Sequence, residues 1–234
     1  MCSLDLDIIT SRTITLFLLV DKSGSMQGNK IATVNDTIRN IIPALQEITA
    51  QTPATDIKIA ALEFASDSHW MYPEPQSVHN FQWQNIRADG WTALGEACLE
   101  LNDKLSSHGF MPADSTSHSP IIILISDGAP SDNFSDSIAV LKHNLWFNNA
   151  IRIAIAIGND ANYDVLSEFT GKPQAIYEAY NTDALKNIIR IATLSASQIG
   201  CQSTIAESPN IQYQLIQSIN QQLELHKTSE TEDW

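Results

Sequence analysis

Asp21, Ser23 and Ser25 form a D-x-S-x-S cluster directly after the hydrophobic run Leu16–Val20, with Gly24 allowing a sharp turn. One carboxylate and two hydroxyls gathered at a turn are hard oxygen donors. A small divalent cation such as Mg²⁺ takes about six such oxygens at roughly 2.0–2.1 Å and often keeps some of its waters. Two further loops carry the same kind of chemistry. In Ala88–Gly95, Thr92 stands at the expected start of a helix. In Ile125–Pro130, Asp127 ends an all-aliphatic run. Each residue alone also has a local explanation. Asp21, Ser25 and Thr92 could cap helices, with Glu96 assisting Thr92, and Asp127-Gly128 is a common turn pair.

The elements that must position these loops alternate between strand and helix, the pattern of an α/β domain with a mainly parallel sheet. Strands are expected at Thr13–Val20, Ile57–Phe64, Ile121–Ser126 and Ile151–Ile157, all aliphatic and β-branched as in sheets covered on both faces. His69–Tyr72 reads as a short antiparallel edge and Ala175–Ala179 as a last strand. Ile31, Val34, Ile38, Ile41, Leu45 and Ile48 step by three and four, giving a helix with an expected kink at Pro43. Leu94, Cys98, Leu101 and Leu105 mark a second helix. Ile138, Leu141 and Leu145 mark a third, Leu185–Leu194 a later one, and Tyr213–Leu225 a short amphipathic one. In a parallel sheet ligands collect beyond the carboxyl ends of the strands. Asp21 and Asp127 both lie at such ends and face one another if their strands are neighbours.

Together the three loops resemble the metal-ion-dependent adhesion site (MIDAS) of the von Willebrand factor A domain family. The D-x-S-x-S loop, a later threonine loop and an aspartate after a buried strand appear in the family's order over roughly Ile14 to Ser197. That resemblance implies a Rossmann-like α/β fold, a mostly parallel central sheet with one antiparallel edge strand, and helices on both faces. It implies that Ser23 and Ser25 ligate Mg²⁺ or Mn²⁺ directly. Thr92 would ligate in the ligand-bound state, and Asp21 and Asp127 would act largely through water. One position stays open for a Glu or Asp carboxylate of a protein partner. The phrases "DKSGSM", "WTALGEA", "ILISDGAPSD" and "AIAIG" are similar to the bacterial TerY-type group associated with tellurium-resistance loci. In that group a stand-alone A domain is commonly linked with a PP2C-like phosphatase and a Ser/Thr-kinase-like protein. The implied organisation is an N-terminal extension (1–12), the A domain with its metal site (13–197), and a linker, short helix and acidic tail (198–234).

Bulk properties narrow the partner. With 27 acidic against 13 basic residues and a net charge of -14, the chain lacks the clustered cations that nucleic acid or anionic lipid requires. No apolar run reaches the roughly 18–20 residues that span a bilayer, and the first ten residues do not read as a signal peptide. Cys2, Cys98 and Cys201 are scattered, which suggests reduced thiols in the cytoplasm. Cys98, on an apolar helix face, is expected to pack. The six histidines show no zinc-like pairing with cysteine, and a phosphate-binding P-loop is absent. Lys22 is expected to point to solvent, and Asp132 and Asp136 to serve the start of the third helix. For Phe81, Trp83 and Trp91 burial competes with a rim around the metal. Trp146-Phe147 is expected to close the core. The leading expectation is a metal-dependent interaction module without catalysis. The alternative is a phosphohydrolase using Asp21 or Ser23 as nucleophile. It lacks the second aspartate two positions on, where Ser23 stands, and any Lys or His placed by sequence to activate it.

Overall fold

β-branched and aliphatic side chains pack well on a pleated surface, and β1 (Arg12–Asp21) places them on both of its faces. The computed structural model describes residues 12–51, 55–111 and 119–178, and in the C-terminal segment Tyr213, Ile216, Gln217, Asn220 and Gln221. Six further strands follow: β2 (Thr55–Phe64), β3 (Ser68–Trp70), β4 (Gln76–Ser77), β5 (Ile121–Ser126), β6 (Ile151–Ala156) and β7 (Ile176–Glu178). The sheet order is β3-β2-β1-β5-β6-β7, with β4 also paired to β2. β2, β1, β5, β6 and β7 run parallel, while β3 and β4 are antiparallel to β2. The expected antiparallel edge is therefore present at 68–70. The two-residue β4, hidden in the sequence by Pro73 and Pro75, was not anticipated.

The helices are α1 (Asn29–Gln51), α2 (Leu94–Lys104), α3 (Phe134–Leu141), α4 (Leu145–Asn149) and α5 (Tyr163–Thr170). On β1, Ile14, Leu16, Leu18 and Val20 pack with α1 and with Val78, Phe81, Trp83 and Ile86 of the long loop after β4. Phe17 and Leu19 face the opposite layer, built from α2, α3, Phe147 of α4 and α5. Each fully buried Leu, Ile or Phe on these faces contributes about 1.5–3 kcal/mol.

Pro43, where a kink was expected, lies inside one continuous helix of 23 residues. One expectation needs correction. The third helical stripe divides in two. Asn144 caps α4, accepting from the backbone N–H groups of Trp146 and Phe147, so Leu145 opens a new helix and is exposed. α5, which carried no clear periodicity, is a helix capped by Asn162 and closed by left-handed Gly171. Leu185–Leu194 and Ala179 lie outside the described residues. The five described residues near the C-terminus include helical ones with Ile216 buried, and the Lys172 ammonium sits 5.8 Å from the Tyr213 ring.

Asn35 ties α1 to the loop that leads toward Thr92. It is buried, its Nδ2 donates to the carbonyls of Ile31 and Ile86, and its Oδ1 accepts from Trp83 Nε1 and Ile86 N–H. Asn35→Ala leaves those buried groups without partners and is expected to lower unfolding free energy by about 3 kcal/mol, read from urea denaturation. Cys98 is fully buried, and burial pushes its thiol well above the usual range. Mass spectrometry after iodoacetamide treatment should find Cys98 unmodified in native protein and modified in denaturant.

Candidate functional site

β1 leads through α1 to β2 on one side, while the chain later returns to place β5 on the other side of β1. The crevice at this reversal is where open α/β sheets bind ligands. Val20 pairs in register with Ile125, so the next residues, Asp21 and Ser126, leave the sheet side by side. Asp21 is fully buried. Its Oδ1 accepts from Ser23 N–H at 2.8 Å, and its Oδ2 accepts from Ser126 Oγ at 2.5 Å. Burial pushes the Asp21 carboxyl above its ordinary range, against the lowering effect of the Ser126 and Ser23 hydrogen bonds, and the nearby Asp127 charge adds to the rise.

Asp127 follows on the same crevice wall. Its Oδ2 accepts from Lys30 Nζ at 3.3 Å, while its Oδ1 is buried with no hydrogen-bond partner. Ser23 is buried and Ser25 exposed, with their hydroxyl oxygens 3.0 Å apart. No side chain of His, Lys or Glu among the described residues hydrogen-bonds Ser23 or Asp21.

The threonine loop is sewn to this cluster by backbone contacts. Asp89 N–H donates to the Lys22 carbonyl at 2.7 Å, and Gly24 N–H donates to the Gly90 carbonyl at 3.0 Å. Gly90 has a φ of 79°, and a Cβ there would stand 2.5 Å from Ser66 Oγ, so this crossing demands glycine. Thr92 itself is pinned to the third loop: its N–H donates to Ser131 Oγ at 3.0 Å and its carbonyl accepts from Ser131 N–H at 2.8 Å. Capping falls elsewhere. The Asp132 carboxylate accepts from Gly95 and Glu96 N–H and serves the start of α2, correcting its assignment to the third helix. Relieved of that duty, the Thr92 hydroxyl makes no hydrogen bond to the described residues.

Asp21 ends β1, and Ser23, Ser25, Thr92 and Asp127 lie on loops, so the five residues singled out by sequence sit on segments joined at one end of the sheet. The donor set is suited to a hard cation: two carboxylates beside one another, one with an orphaned buried oxygen, and three hydroxyls. Among the described residues no group of three or more His, Cys, Asp or Glu is placed to hold a metal. A cation here would therefore depend on the hydroxyls.

Sequence reasoning overlooked Ser126, Ser131, Lys30 and Asp160. Lys30 is half-buried; desolvation works to lower its pKa, but its contacts with Asp160 and Asp127 outweigh this and raise it. Lys22 also departs from expectation, pairing with Glu63 at 3.1 Å. Phe81 and Trp83 are core residues, whereas Trp91, next to Thr92, is 74% exposed. A cleft of about 510 Å³ lined by Thr13, Thr15, Lys58 and Lys104 opens elsewhere and includes none of the five.

Solved structures share this architecture. The pilus adhesin SpaC of Lactobacillus rhamnosus GG aligns over 81% of this chain and 30% of its own, with 13% identity and a TM-score of 0.62. The ArnB paralog VWA2 of Sulfolobus acidocaldarius aligns over 76% of this chain and 44% of its own, with 21% identity and a TM-score of 0.55. BatB of Bacteroides thetaiotaomicron aligns over 81% of this chain and all of its own, with 15% identity and a TM-score of 0.54. The chain therefore spans less than half the length of the first two. No curated protein matches by sequence. The von Willebrand factor type A domain matches residues 15–191, well over half of the sequence, and the chain belongs to that family.

Proposed function

We propose that this chain is a metal-dependent protein-interaction module, in which Asp21, Ser23, Ser25, Thr92 and Asp127 hold Mg²⁺ or Mn²⁺ for a partner's acidic side chain. The observation that carries the reading is the Asp127 carboxylate, sealed from solvent beside buried Asp21 with one oxygen unpartnered. Two desolvated carboxylates side by side are costly, and a divalent cation offsets both. The unemployed Thr92 hydroxyl and the Ser23–Ser25 pair supply neutral oxygens that leave such an ion electrophilic. When bound, the ion would supply Lewis acidity toward an incoming carboxylate. The protein's own part is to orient Asp21 through Ser23 and Ser126 and to hold Thr92 through Ser131. A-type domains commonly serve in protein interaction or adhesion and often bind a metal ion.

Trp91 gives the partner an apolar foothold beside Thr92, since exposed tryptophan at an interface often dominates its energy. The similarity of "DKSGSM", "WTALGEA" and "ILISDGAPSD" to TerY-type proteins supports a scaffold or regulatory role in a bacterial stress system with a PP2C-type phosphatase and a Ser/Thr kinase. A cytoplasmic setting fits that role. Among the described residues no helix is long and apolar enough to cross a membrane.

Isothermal titration with Mg²⁺ or Mn²⁺ should show binding that Asp21→Ala weakens by tenfold or more, on the order of the loss seen when ligand-shell groups are removed. Equal affinity in the variant would refute the assignment. Partner retention on immobilised protein should vanish with chelator, and Trp91→Ala should weaken it by about 2 kcal/mol.

A further inference from the structure

Lys30 lies at the second position of α1, and its ammonium bridges two carboxylates of very different character. Nζ stands 3.3 Å from Asp127 Oδ2 and 2.9 Å from Asp160 Oδ1. The Asp127 side chain is 3% exposed, that of Asp160 is 72% exposed. The outer contact is screened by water, while the inner one sets a fixed positive charge against a nearly sealed oxygen. The lysine is closely walled as well. Gly158 has a φ of 90°, and a Cβ there would stand 2.6 Å from both Lys30 Cε and Asp160 Oδ1. The turn that carries Asp160 therefore presses on the lysine stem with no room for a side chain.

We propose that Lys30 is a built-in competitor of the divalent cation: its ammonium occupies Asp127 Oδ2, and Asp160 is the alternative acceptor that draws it aside when metal enters. The inference rests on Asp127 belonging to the metal site proposed above. It makes Lys30 and Asp160 determinants of metal affinity although neither ligates the ion. An incoming divalent charge is repelled by the ammonium and must recover the Asp127 oxygen from it, so affinity is set below what the oxygen ligands alone would give. The lysine can turn toward Asp160 without leaving its place, so only part of that repulsion is felt.

Titration calorimetry of Mn²⁺ into the full chain tests this with two variants expected to move in opposite directions. Lys30→Gln keeps a donor on a side chain one bond shorter and removes the charge, and should tighten binding about tenfold, as expected for partial relief of one like-charge contact. Asp160→Asn weakens the outer acceptor, leaves the lysine to Asp127, and should loosen binding about threefold. Circular dichroism verifies folding, and Lys30→Met replaces Lys30→Gln if the latter does not fold. Equal affinity in wild type and both variants, or weaker binding by Lys30→Gln, overturns the inference while leaving the metal site intact. Absence of binding in wild type and Lys30 variants alike overturns the site itself.

Discussion

The Asp21 carboxylate, buried where β1 and β5 leave the sheet, is the constraint on which the site depends. A carboxylate removed from water must be met by donors or by a cation. Ser23 N–H and Ser126 Oγ meet it on two sides, and both are fixed by the turn and the strand pairing that put them there. Those same bonds set the direction of the chain after β1, so the positions of Ser23 and Ser25 follow from them. Ser126 then receives Gly128 N–H at 2.7 Å, which turns the third loop and sets Asp127 against the same crevice.

Around that carboxylate the molecule divides its labour. Backbone bonds join Lys22 and Gly24 to Asp89 and Gly90, and Ser131 brackets Thr92. Asp132 caps α2, so the threonine hydroxyl is left for other use. Asn35 of α1 anchors the loop whose last residues cross the site. These supports come from side chains already engaged, whereas the candidate ligands retain spare oxygens. A rigid frame around under-satisfied donors is what a binding site requires.

Charge follows the same division. The chain is acidic overall, yet the crevice wall carries Lys22 paired to Glu63 and Lys30 paired to Asp127 and Asp160. Basic groups thus sit at the rim of a carboxylate pair and restrain its net charge. Trp91 stands outside this polar rim, exposed beside the threonine loop.

The sequence by itself determined the α/β class, the main strands and the three loops, because aliphatic runs and stepped apolar positions are local signals. Ile121–Ser126 was legible to the residue, since an unbroken aliphatic run followed by Asp-Gly has few other readings. Asp21, Ser23, Ser25, Thr92 and Asp127 were singled out as candidate ligands by spacing and by resemblance to the family. The division at Leu145 and the helix at Tyr163–Thr170 were not, because capping by Asn144 and Asn162 decided them over weak periodicity. Only the tertiary structure decided that Ser126 serves Asp21 across 105 positions, that Lys30 reaches Asp127 across 97, and that Asp132 relieves Thr92 of capping. The physical reason is that strand order and register create these neighbours, and neither is written in the spacing of any one segment.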